Sequence, residues 1–177
     1  MDLLPKTIVG VRRDVRSIVY RSALQKQNYG CYGFLLGVQE EFTRPIFDVA
    51  LVVRETKSGD TLENAPARLE TKLGKAREVA VKSGTEVIGL FIAWEASHAG
   101  GHRHKQFGIL VDAAERLQLP FLVEFSTAGH ESTWGLNVFF VGRFPHERLP
   151  YKMLPRRSRR SEDNPRRILR VWNALLA

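Results

Sequence analysis

Between residues 14 and 27 the apolar positions recur at helical spacing. Val15, Ile18 and Val19 share a face with Ser22, while Arg12, Arg13, Arg16 and Arg21 surround it. This pattern predicts an amphipathic helix, ended by Asn28 to Gly30. The run Cys31-Tyr32-Gly33-Phe34-Leu35-Leu36-Gly37-Val38 is short, apolar and glycine-bearing, as in a buried strand closely approached by neighbouring backbone. Ile46 to Arg54 predicts a second strand, closed by the turn-forming Lys57-Ser58-Gly59-Asp60. Helical spacing returns from Asn64 to Lys82 at Leu69, Leu73, Ala76, Val79 and Ala80; Pro66 suits a first turn and Ser83-Gly84 a stop. Thr85 to Trp94 is the most continuous apolar run and reads as a central strand buried on both faces. A polar loop is expected from Glu95 to Gly101. Phe107, Leu110, Val111, Ala114 and Leu117 then mark a third helix, Pro120 opens a strand over Phe121 to Phe125, and Trp134 to Val141 reads as the last strand.

Strand, helix, central strand, helix, strand is the order of an α/β domain, a layered mixed sheet with flanking helices. The length of 177 residues suits one domain. Charge divides it. From Arg148 onward nine Lys/Arg stand against Glu162 and Asp163, a net +7, which leaves +1 of the total +8 for residues 1–147. The expected organisation is therefore a near-neutral domain over 1–147 and a basic tail over 148–177, so the basic pI describes the tail rather than the fold. Cys31 is the single cysteine, which excludes an internal disulfide and a thiolate zinc cage. With no basic-then-apolar leader and no apolar run of membrane-spanning length, a reducing, cytoplasmic setting away from the membrane is expected.

The helix before Gly33-Phe34-Leu35-Leu36-Gly37, the helix feeding Val87-Ile88-Gly89-Leu90-Phe91, and the Pro-initiated strand Leu119-Pro120-Phe121-Leu122-Val123 resemble, in their order, the JAB/MPN (JAMM) family over most of residues 10–143. The resemblance implies a JAB/MPN architecture of the cytidine-deaminase-like kind. In active members a Glu precedes the first strand glycine by three residues, an HxHP follows the central strand and an SxxD opens the next helix; two His and the Asp bind zinc, and the Glu acts as general base. In this chain the Glu position is Gly30, the two His positions are Ile92 and Trp94, the Pro position is Glu95, and the Asp position is near Gln106 or Phe107. None of these side chains can act as the family's ligand or base, so the resemblance implies a degenerate member without the usual zinc site.

A displaced set is the alternative: His102 and His104 form an HxH, with His98 upstream and Asp112 behind as metal ligands and Glu95 as the catalytic carboxylate of a zinc-dependent isopeptidase. The His104 to Asp112 separation is shorter than the family's, and the histidines fall in a glycine-rich stretch whose plain reading is solvated surface. Ser126 with His130 and Glu131 lacks the GxSxG elbow, Cys31 reads as a small buried residue, and a zinc deaminase's PCxxC cannot be made with one cysteine. In the tail, Arg156, Arg157, Arg159 and Arg160 form a run suited to sequence-independent contacts with nucleic-acid phosphates. Beyond Pro165, Ile168, Val171, Trp172 and Leu175 fall on one helical face, an interface for this domain, a partner protein or a second copy. The leading expectation is a catalytically inactive scaffold, without cofactor, that binds another protein through a sheet edge, the degenerate groove or the C-terminal helix.

Overall fold

The computed structural model describes residues 7–24, 31–40, 44–53, 62–95, 101–127, 135–142 and 146–156. Along them run β1 (Val9–Arg12), α1 (Arg13–Leu24), β2 (Cys31–Glu40), β3 (Arg44–Val53), α2 (Ala65–Lys82, entered through a 3-10 turn at Leu62–Asn64), β4 (Glu86–Glu95), α3 (Gly101–Arg116), β5 (Phe121–Thr127), β6 (Gly135–Phe140), β7 (Glu147–Leu149) and β8 (Tyr151–Leu154). The strands make one mixed sheet of eight in the order β7-β6-β5-β4-β2-β3-β1-β8.

The ends of that order explain the sheet's shape. β7 pairs antiparallel with β6 and β8 pairs parallel with β1, yet Pro150 alone separates them in sequence. They are two halves of one extended stretch, so the sheet must roll until both edges meet it, which leaves it nearly closed. Pro150, with no N–H to donate, sits where the stretch changes partner, and its carbonyl accepts the Val9 N–H at 2.9 Å. The sheet therefore continues to Leu154, past the domain end expected at residue 147, and residues 148–154 belong to it rather than to a tail.

α2 and α3 cover one face. Leu69, Ala76, Val79 and Ala80 of α2 and Leu110, Ala113 and Ala114 of α3 are buried in a cluster with Phe34, Leu51, Leu90, Ile92 and Leu122. The other face is sealed by Val15 and Val19 of α1, packed with Val9, Leu35, Phe47, Phe91, Phe121, Phe125 and Phe140. Rings there meet edge-on, Phe47–Phe121 at 5.7 Å and Phe91–Phe125 at 6.2 Å. Full burial contributes about 1.5–3 kcal/mol for each large apolar side chain, against about 0.5–1.5 for the geometry of a ring pair, so burial is the larger effect. Asp14 in the first turn of α1 complements that helix's N-terminal dipole.

Gly33 and Gly37, the glycines of the apolar signature in β2, are needed for close approach. A Cβ at Gly33 would collide with the Leu51 carbonyl oxygen, and one at Gly37 with the Ile46 carbonyl oxygen. β2 also shifts register against both neighbours at Leu35–Gly37, where bulges tighten the coil of the sheet.

α2 and α3 end in the same way. In each, the sixth residue's N–H returns to the first residue's carbonyl: Thr85 to Ala80 at 2.9 Å, Leu119 to Ala114 at 2.8 Å. The left-handed position is Gly84 (φ 63°) after α2 but Gln118 (φ 56°) after α3.

Candidate functional site

β4, α3 and β5 form a parallel crossover, and the carboxyl ends of parallel strands are where α/β sheets commonly gather ligands. Here the register aligns two rows across the helix-covered face. The inner row is Leu51, Phe34, Leu90, Leu122 and Phe139. The outer row is Val53, Tyr32, Ile92, Glu124 and Asn137. The inner row is apolar throughout, with Phe107 of α3 lying 5.0 Å from Phe139, ring to ring. The outer row turns polar at Glu124, which retains only 5% exposure.

A buried carboxylate costs several kcal/mol unless it is paired or hydrogen-bonded. The Asn137 amide donates to Glu124 Oε2 at 2.9 Å. Tyr32 and Ile92 beside it are 1% and 0% exposed. The outer row is thus buried from Val53 to Glu124 and ends at the half-buried Asn137, whose amide meets the carboxylate across the sheet.

The residues singled out from sequence fall as follows. Ile92 is fully buried within the apolar cluster, Trp94 stands opposite Ser126, and Glu95 ends β4 opposite Thr127. Gln106 and Phe107 are half-buried in α3. Gly30 and His98 lie outside the described residues. His102 and His104, expected in a loop, are instead in the first turn of α3. Asp112 is exposed eight residues beyond His104, about 12 Å further along the helix. Asp112 belongs instead to an open groove of about 500 Å³ between the 3-10 turn, the start of α2 and α3, lined also by Glu63, Pro66, Ala67, Lys105 and Ile109.

Lys105 Nζ donates to Glu63 Oε1 at 2.8 Å across that groove. The hydrogen bond, and then the charge of the partner, holds the Glu63 carboxyl below its ordinary pKa and raises that of Lys105. Both side chains are well exposed, so the pair is a surface feature of small energetic weight. Among the described residues no three His, Cys, Asp or Glu side chains are grouped to hold a metal ion.

The other expected sites are less concentrated. Cys31 is buried at the start of β2, and the Ser126 hydroxyl donates to the Gly135 carbonyl at 3.5 Å. His130 and Glu131 lie outside the described residues, as do Arg157, Arg159, Arg160, Ile168, Val171, Trp172 and Leu175. Arg156 is described: it lies 3.7 Å from the Asp14 carboxylate and donates to the Ser17 hydroxyl at 3.3 Å, so it fastens the chain leaving β8 to α1. Sequence reasoning passes over Glu124 and Asn137. A signal for Glu124 exists, one acidic residue inside the apolar run Phe121–Phe125.

No family model and no curated protein matches this chain. Among described residues no helix is long and apolar enough to cross a membrane. Among solved structures the chain is similar to the solution structure of protein DSY2949 from Desulfitobacterium hafniense, a structural-genomics target, with a TM-score of 0.56 and 13% identity over 86% of this chain and 97% of that one. That similarity extends to the fold alone.

Proposed function

We propose that this chain is a JAB/MPN-like domain without the hydrolytic zinc site and that it serves as a protein-binding scaffold. The supporting observation is Ile92. At the position where the resemblance places a zinc-ligating His, the chain has an aliphatic side chain with no exposure, built into the apolar cluster under α2 and α3. The remaining family positions agree: Gly30 and Trp94 supply no ligand, and at the Asp position Gln106 and Phe107 supply no carboxylate. The residues present do not fit the metal, and no reaction step is assigned through it.

The alternative isopeptidase built on Glu95, His98, His102, His104 and Asp112 has less support. It needs Asp112 to share a site with His104, eight residues earlier and about 12 Å away along the same helix.

Zinc analysis of the full chain purified without added metal tests the reading, together with an isopeptide-linked substrate incubated with and without zinc. The expected result is zinc well below one per chain and no zinc-dependent cleavage. One zinc per chain, lost in His102→Ala/His104→Ala together with a hydrolytic activity, would promote the isopeptidase.

A further inference from the structure

The stretch that closes the sheet, residues 147–154, alternates between the two faces. Val9 and Val11 lie in the cluster under α1, so their register partners Tyr151 and Met153 share that face. Glu147 shares it too, opposite Phe140. The intervening positions fall on the outer face, which α2 and α3 cover further along. Lys152 stands there opposite Gly10, and Arg148 opposite Phe139, which packs with Phe107 of α3. Arg44 joins them from β3, two residues before Ile46, whose partner is also Gly10. α2 packs on β2, β3 and β4 and α3 on β4 and β5, so the outer face of β1, β7 and β8 lies beyond both helices.

Arg44, Arg148 and Lys152 are all exposed. The nearby carboxylates do not offset them: Glu147 is on the opposite face, Asp48 meets Arg12 at 3.1 Å, and Asp14 lies 3.7 Å from Arg156. Strand rise and spacing put Lys152 about 12 Å from Arg44 and about 13 Å from Arg148, so one polyanion can reach all three. From β8 the chain leads directly into Arg156-Arg157-Ser158-Arg159-Arg160, which continues the same charge.

We infer that this face and the arginine run form one binding surface for the phosphate backbone of double-stranded nucleic acid. It is a second function beside the scaffold reading and does not depend on it. The cations follow one another along a single extended stretch, which suits a linear polyanion. The face offers no ring: Ile8 is aliphatic and Tyr151 belongs to the opposite face, so the bases of a single strand would have nothing to stack on. Contacts of this kind position a duplex without reading its sequence. An acidic protein segment would need apolar pockets for its anchors. Here Leu154 and Ile46 close over Gly10 and leave no room even for a Cβ. A second copy apposed through the same face would set cation against cation.

The test is a fluorescence-anisotropy titration of a short labelled DNA duplex with the full chain at several salt concentrations. Arg156 is engaged by Asp14, which leaves Arg44, Arg148, Lys152, Arg157, Arg159 and Arg160 to meet one phosphate each. Six such contacts give a slope of log K against log salt of about −5, roughly a thousandfold loss of affinity between about 50 and 200 mM. Arg44→Ser/Arg148→Ser/Lys152→Ser should bring the slope to about −3, and so should Arg157→Ser/Arg159→Ser/Arg160→Ser, with the amide spectrum of the core unmoved. A duplex of unrelated sequence should bind equally, and a single strand of equal length more weakly. Duplex RNA run in parallel distinguishes DNA from RNA, and binding of either supports the inference. An unchanged slope in the first variant would confine binding to the arginine run and overturn it. Tighter binding of the single strand, equal binding of oligoglutamate, or no binding at low salt would also overturn it. These outcomes leave the scaffold reading standing, since that reading is tested by zinc and hydrolysis.

Discussion

At the carboxyl ends of β4 and β5, Tyr32 and Ile92 are sealed beneath helices and the Glu124 carboxylate is met by the Asn137 amide. At the seam between β1 and β8, Ile8 and Tyr151 are partly open to solvent on opposite faces of the sheet, and Arg44, Arg148 and Lys152 nearby are exposed. The resemblance directs attention to the first region, and the physical chemistry directs it to the second. Side chains closed into a core and hydrogen-bonded pairs contribute to stability. Exposed apolar groups beside unmatched charge contribute little to it, and become useful when something covers them.

Substitutions sharpen the contrast, beginning with the largest effect. Ile92→Asp places an unpaired charge in the apolar cluster and should cost about 4 kcal/mol or more in denaturant unfolding. Ile8→Asp at the seam should stay within about 0.5 kcal/mol of the parent. A parent-like Ile92→Asp would mean that the groove is open to water. Next comes the buried polar pair. Asn137→Leu removes the amide from Glu124 and should destabilise by about 2 kcal/mol. Adding Glu124→Leu should recover about 1 kcal/mol or more, since the carboxylate no longer needs a partner. A strictly additive double mutant would break the claim that the two act as a unit.

The helix ends over the sealed side allow a smaller change in the favourable direction. Gln118 holds the left-handed position that Gly84 holds after α2. Gln118→Gly should therefore raise stability by about 0.5–1 kcal/mol, measured as a higher denaturant midpoint at unchanged slope. Least of all should come from Glu63 and Lys105. The lowered Glu63 pKa gives a stabilisation present above the ordinary carboxylate range and lost as pH falls through the folded value; the raised Lys105 pKa gives one lost only as pH rises through its own. Because both are exposed, Glu63→Gln at neutral pH should leave the unfolding midpoint unchanged within error, and a clear loss would show that the groove between α2 and α3 is tighter than its exposure indicates.

Long, strongly periodic elements are legible in the sequence. α2 forms over Ala65–Lys82 where apolar spacing predicts Asn64 to Lys82, and β4 over Glu86–Glu95 where an apolar run predicts Thr85 to Trp94. β1, β7 and β8, of four residues or fewer, are too short for an alternation to declare itself. Their strand character comes from partners far away in sequence, such as Val9 with Tyr151 and Val138 with Leu149. The start of α3 is hidden for a different reason. Gly101 to His104 carry no apolar position to continue the period, so the pattern begins only at Phe107.

The candidate site is legible in part. Composition alone shows that Ile92 and Trp94 cannot ligate a metal. The role of Glu124 depends on the β5–β6 register that brings Asn137 beside it, which no local pattern encodes. Likewise, Arg148 and Lys152 read as part of a basic tail until β7 and β8 tie them to the sheet.

Native-state hydrogen exchange measures the contrast between the two regions in a single experiment. Amides of residues 90–93 and 122–125 should exchange only through global unfolding, with protection equal to the stability from denaturant titration, while those of 8–10 and 151–154 should open at lower free energy. Fast, denaturant-insensitive exchange around Ile92 and Glu124, with the seam fully protected, would contradict the account: the groove under α3 would then be the part of the molecule that opens, and the seam part of its core.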